Sequence, residues 1–179
     1  RYRMRQDLNW EGASQDLDRA MAIDPANEGV LNVRALLFLT LGRTRESIEM
    51  GRRAVDLSPL NVVHITNLAM ELLCDGQLAE AREWARRSLE ISPGYARAVH
   101  VLAYSALLTG KADVALAEFE RGSEPVRSAG IVAALHSLGR EQESRDALVR
   151  LERDRADEPV FVAGARAWRG DLDGAFGAL

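Results

Sequence analysis

Cysteine is almost missing from this chain. Cys74 is the only one among 179 residues, so no internal disulfide can staple the fold. That scarcity fits a reducing compartment, and a cytoplasmic location is expected. No run of about eighteen apolar residues occurs, which excludes a membrane-spanning helix. There is no excess of positive charge either: 23 basic against 27 acidic residues leave a net charge of −4. Broad binding to nucleic acid or to an acidic membrane surface needs a basic footprint, so neither is expected as a partner. With 47% apolar and 28% charged residues, the composition is that of a folded, soluble chain rather than a disordered one.

Recognisable catalytic signatures are also absent. The sequence holds no phosphate-cradling glycine loop, no Gly-x-Ser-x-Gly elbow and no His-Glu-x-x-His pair. Cys74 has no basic neighbour in its own helical turn to lower its pKa, so a buried or half-buried inert thiol is expected. Asp171-Leu172-Asp173-Gly174 has the start of a calcium loop but not its remaining ligands, and a helix cap explains it better. Nothing places a nucleophile, a base and a charge stabiliser together. The expectation is no enzyme, no cofactor and no metal.

What is present is a period. Between Val62 and Pro93, Ile65, Leu68, Ala69 and Leu72 recur at three- and four-residue steps, the apolar stripe of a helix running to about Asp75. Gly76 ends it. A second amphipathic helix carries Leu78, Ala81, Trp84, Ala85 and Leu89, and Ser92-Pro93 stops it. The same marks lie 34 residues away on both sides: Pro25, Pro59 and Pro93; Gly42, Gly76 and Gly110; Ala35, Ala69 and Ala103.

A 34-residue period of paired helices, with small residues where they cross, resembles the tetratricopeptide repeat family. Aligned to that repeat, the small residue of each second helix is Ala13, Ser47, Ala81, Ala115, Ser144 and Ala175. The resemblance implies an all-α fold, a right-handed α-solenoid of antiparallel helix pairs. The expected organisation is a single array over residues 1–179: a partial repeat over 1–27, repeats over 28–61, 62–95, 96–124 and 125–155, and a partial repeat over 156–179. A first helix over Arg1–Asp7 has Leu8 in place of its turn glycine. In the fourth repeat Gly122-Ser123-Glu124-Pro125 arrives about one helical turn early, with serine placed to cap the next helix. Repeats five and six are poorer in large apolar residues, and lower local stability is expected there. The chain begins Arg1-Tyr2-Arg3 without methionine and both ends fall inside repeats, so it reads as a fragment of a longer protein.

In the family the first helix of each hairpin lines a concave groove, and the resemblance carries that role to particular residues. Asn32, Leu36, Thr66, Asn67, Met70, Arg97, His100 and Tyr104 are the candidate partner-binding residues, with Leu39, Val63, Leu73, Cys74, Val101 and Leu107 beside them. A mostly apolar trough with a few polar anchors suits an amphipathic helix or an extended peptide. The family's carboxylate clamp is not reproduced: Asn67 and Arg97 stand at clamp-like positions, but Asn32, Leu36 and Val101 replace its other members. His64, His100 and His136 occupy different repeat positions and lack the further ligands of a zinc site. Arginine recurs at Arg19, Arg53, Arg87, Arg121 and Arg150, where it complements the helix dipole.

The stretch from Ala167 to Phe176, Ala-Trp-Arg-Gly-Asp-Leu-Asp-Gly-Ala-Phe, is similar to the closing repeat of tetratricopeptide regions attached to bacterial nucleotide cyclases, protein kinases and winged-helix regulators. The resemblance implies a protein-binding regulatory arm of a bacterial signalling protein. Two alternatives stand beside it: a peptide or small-ligand sensor controlling an attached output domain, and self-association into a homo-oligomer through the incomplete C-terminal repeat. The assigned register itself is testable. Ala81→Leu should cost about 1–3 kcal/mol through overpacking, read as a lower melting temperature; an unchanged melt places Ala81 outside a helix crossing.

Overall fold

The computed structural model describes residues 9–179. The first helix expected over Arg1–Asp7 and its turn residue Leu8 lie outside the described residues. Among the described residues there are eleven α-helices and no strand. They are α1 Trp10–Ile23, α2 Glu28–Thr40, α3 Thr44–Leu57, α4 Val62–Cys74, α5 Leu78–Ile91, α6 Ala96–Leu108, α7 Ala112–Arg121, α8 Val126–Ser137, α9 Glu141–Asp154, α10 Pro159–Trp168 and α11 Leu172–Gly177. The fold is an α-solenoid of antiparallel helical hairpins.

The chain divides after Pro93 into two compact units. In the first, α2 pairs with α3 and α4 with α5; α1 packs on α2, α3 on α4, and α2 on α4. In the second, α6 pairs with α7, α8 with α9 and α10 with α11; α7 packs on α8, α6 on α8, and α8 and α9 on α10.

Local chemistry sets the hairpins. Asn27 and Asn61 begin α2 and α4, their side-chain oxygens accepting from the backbone N–H groups of Val30 and Val63 at 3.1 Å. At the other end of α4 the chain must reverse, and Gly76 does so with φ +80°, a left-handed conformation that a side chain would strain. At the crossings, Ala13, Ser47, Ala81, Ala115, Ser144 and Ala175 are all buried. Two of them also bond across: the Ser47 hydroxyl donates to the Ala35 carbonyl at 2.8 Å and that of Ser144 to the Val132 carbonyl at 2.9 Å. A small side chain lets the backbones approach closely enough for that bond. Val132 stands where the other hairpins carry alanine, and it too is fully buried.

Contacts between hairpins match one bulky group to one glycine. A Cβ on Gly130 in α8 would lie 2.2 Å from the Phe119 ring of α7, so the ring fills the space a side chain would take. In the first unit the partners are reversed: Gly51 of α3 makes room for the Glu71 carboxyl of α4, which would lie 2.2 Å from a Cβ there. Glu71 is fully buried and neither carboxyl oxygen has a hydrogen-bond partner. Burial pushes its pKa up to about 8, with Ser47 opposing weakly, so the group is mainly protonated at neutral pH.

Repeat four ends early as its sequence requires, α7 stopping at Arg121 with Gly122 as its C-cap. The capping expectation is corrected. No side chain caps α8, and Ser123 contributes its backbone carbonyl to the Arg127 N–H at 3.0 Å.

Alanine is the better helix former by about 1 kcal/mol, yet Gly130→Ala should destabilise by about 1–3 kcal/mol, because Phe119 must leave its place; urea denaturation reads the sign. Glu71 holds its proton in the folded chain to about pH 8, whereas the unfolded carboxyl releases it near 4.5. Stability should therefore be fullest below 4.5 and fall by a few kcal/mol, to order of magnitude, as pH rises from about 5 to 8. Glu71→Gln should flatten the fall, and an equally steep decline in the variant would assign it to another group.

Candidate functional site

The candidate residues fall in both units. In the first, the Asn67 amide donates to the Asn32 side-chain oxygen at 2.8 Å, and both residues are buried. This pair ties α4 to α2 and forms a polar floor rather than a protruding anchor. Leu36 is half-buried against the cluster of Ala13, Leu17 and Leu37. Met70 is half-buried, and Val63 and Cys74 are the exposed members of the α4 face.

Thr66 faces inward. It is fully buried, its hydroxyl donating to the Val62 carbonyl at 2.8 Å and lying 2.7 Å from the Ser88 hydroxyl of α5. Its hydrogen bonds close the hairpin.

In the second unit Arg97 is exposed in the first turn of α6. His100 lies one turn later. It is buried, with its Nε2 3.2 Å from where a Gly122 Cβ would stand, so the ring packs beneath the early loop after α7. Burial lowers its pKa, the Ser123 backbone opposes and the Arg97 charge lowers it further; the neutral imidazole is favoured.

Tyr104 stands among residues that the sequence reading did not single out for binding. Its ring meets Phe119 edge-on with centroids 5.0 Å apart, and burial pushes its hydroxyl pKa up. Together with Phe161 and Trp168 it walls a trough of about 280 Å³, over a lining of Ala129, Ala133, Gly164 and Ala165. The Trp168 indole N–H donates to the Ser137 hydroxyl at 3.0 Å, which fixes that wall. The residues lining the trough come from α6, α8 and α10, the first helices of their hairpins. The small ones make the space and the aromatic ones bound it.

Other chemistry at these positions is limited. Among the described residues no three of His, Cys, Asp and Glu gather in a way that could hold a metal ion. Cys74 is exposed rather than buried or half-buried, yet partial desolvation of its sulfur raises its pKa, and Glu71 adds to the rise once its own carboxyl ionises, which keeps the thiol protonated at neutral pH. Asp171 caps α11 by accepting from the Gly174 N–H at 2.9 Å, so the short acidic motif is used in folding. No helix among the described residues is long and apolar enough to cross a membrane.

Comparison with known proteins returns the same repeat. The signature of the tetratricopeptide repeat family matches residues 63–92. A thermophilic tetratricopeptide protein of Thermus thermophilus shares the fold with a TM-score of 0.76 at 17% identity, over 94% of this chain and 91% of that one. A tetratricopeptide repeat protein of Parabacteroides merdae gives 0.68 at 17%, over 99% and 73%. YrrB, described as a tetratricopeptide protein with an unusual peptide-binding site, gives 0.59 at 11%, over 90% and 88%. No curated protein matches the chain. The chain thus carries a tetratricopeptide repeat at residues 63–92 and has the fold of tetratricopeptide-repeat proteins.

Proposed function

We propose that this chain is a non-catalytic protein-interaction module that holds a helix or extended peptide segment on the exposed face of its first helices, as the regulatory arm of a bacterial signalling protein. The tetratricopeptide fold supports protein binding in general. The observation that carries the finer reading is the trough walled by Tyr104, Phe161 and Trp168. Rigid aromatic walls over a small-residue floor offer contact area at low cost in side-chain entropy, the usual chemistry of binding hot spots. The peptide-binding site described for YrrB gives a precedent for this use of the fold.

Self-association is a second reading with its own observation. Leu172, Phe176 and Leu179 at the last hairpin are 59%, 78% and 73% exposed and line one apolar depression with Val160. A mass that rises with concentration, and falls when Phe176 and Leu179 are made polar, would support it.

The groove reading is tested at Gly164, where an added Cβ would meet nothing within 4 Å. Peptides selected on the unaltered chain from a random display library should bind Gly164→Arg at least about tenfold more weakly, a loss of about 1.4 kcal/mol. Melting should stay near that of the parent. Selected peptides that bind both forms equally would remove the trough from the function.

A further inference from the structure

A second cavity lies on the other side of α8, and it arises from the early end of repeat four. The helix α7 has 10 residues where α1, α3, α5 and α9 have 14, a difference of about one turn. Beside that missing turn the first turns of α8 and the last turns of α9 enclose about 300 Å³, lined by Glu124, Arg127, Ser128, Ile131, Ala147, Arg150, Leu151 and Asp154.

The charges there are unevenly used. Glu124 accepts the Ser128 hydroxyl at 2.7 Å, and Asp154 accepts from Arg153 at 2.7 Å. Both lining carboxylates are thus engaged. Neither Arg127 nor Arg150 makes an ion pair or side-chain hydrogen bond among the described residues; Arg150 acts on Asp154 only through its field. The repeat shows what an arginine in this register otherwise does. Arg87, its counterpart on α5, donates to the carbonyl of Pro59 in the loop before α4 at 3.1 Å. Arg150 stands near the loop that follows the shortened helix α7, and no such bond forms. The start of α8 has no side-chain cap, so the positive end of its dipole faces the same space.

We infer that this notch is a binding site for an aliphatic carboxylate, with Arg127 and Arg150 holding the acid group and Ile131, Ala147 and Leu151 holding its stem. Ala147 and Leu151 are buried and Ile131 half-buried, a floor that favours a hydrocarbon over a second charged group. Two fixed carboxylates on the rim would repel a dianion, which selects a single carboxylate over a phosphate. The space is at the small end for ligand sites, enough for a short branched or straight chain. Such a group is supplied by the C-terminal residue of a peptide or by a free short-chain acid.

The test uses the whole chain and follows the Ile131 and Leu151 methyl signals by NMR. N-acetyl-leucine represents the peptide end, hexanoate the free acid, and the amides of both remove the charge. The expected result is a saturable shift with at least one acid, weakened at least about fivefold by its amide and by Arg127→Gln or Arg150→Gln alone. Tighter binding of N-acetyl-leucine would assign the site to a peptide end, and tighter binding of hexanoate to a free acid. Both arginines are exposed, so melting of the variants should not change. No saturable shift with either acid, amides that bind as well as acids, inorganic phosphate that binds more tightly, or binding that survives both substitutions together would each overturn the assignment.

Discussion

The fold depends on two helix backbones coming close at one crossing in each hairpin. Everything else in the repeat is compatible with many helical arrangements; this approach is not. Ser47 and Ser144 make the constraint visible, since each hydroxyl reaches the carbonyl of a residue in the partner helix. An alanine at the same place provides the room without the bond. The hairpin's angle and depth then follow from which side chains are too small to hold the helices apart.

Packing between hairpins repeats that logic with different partners. In the second unit the Phe119 ring occupies the space of an absent Gly130 side chain, and in the first the Glu71 carboxyl occupies that of Gly51. One fit uses hydrocarbon and the other a carboxyl without a hydrogen-bond partner, which has to be kept neutral. The two units therefore reach similar architecture at different electrostatic cost. In the first unit the buried Glu71 carboxyl changes its charge state near neutrality.

Most of the architecture was legible because it is periodic. Prolines, turn glycines and small crossing residues recur together, and α4 and α5 end just before Gly76 and Ser92-Pro93, where that pattern puts them. The site was much less so, for a physical reason. Register says which way a residue faces relative to its own helix, but exposure depends on the length of the neighbouring elements. Thr66 is sealed by Ser88, and His100 is covered by a loop that comes early. The trough was missed for the opposite reason: Ala129, Ala133 and Gly164 carry no functional group, and a search for chemistry passes over residues whose contribution is to be small. Tyr104 was found because it falls on the groove face that the family resemblance assigns, and Trp168 was visible only as part of a closing-repeat resemblance.

The protonated Glu71 carboxyl has a consequence beyond stability. At neutral pH the folded hairpins hold a proton that the separated helices would give up. Any event that prises α3 from α4 is then accompanied by proton release, and its measured heat depends on the enthalpy of the buffer that takes the proton. Mechanical or partner-driven opening of the first unit is thereby a proton-coupled step, although no residue in it performs acid–base catalysis.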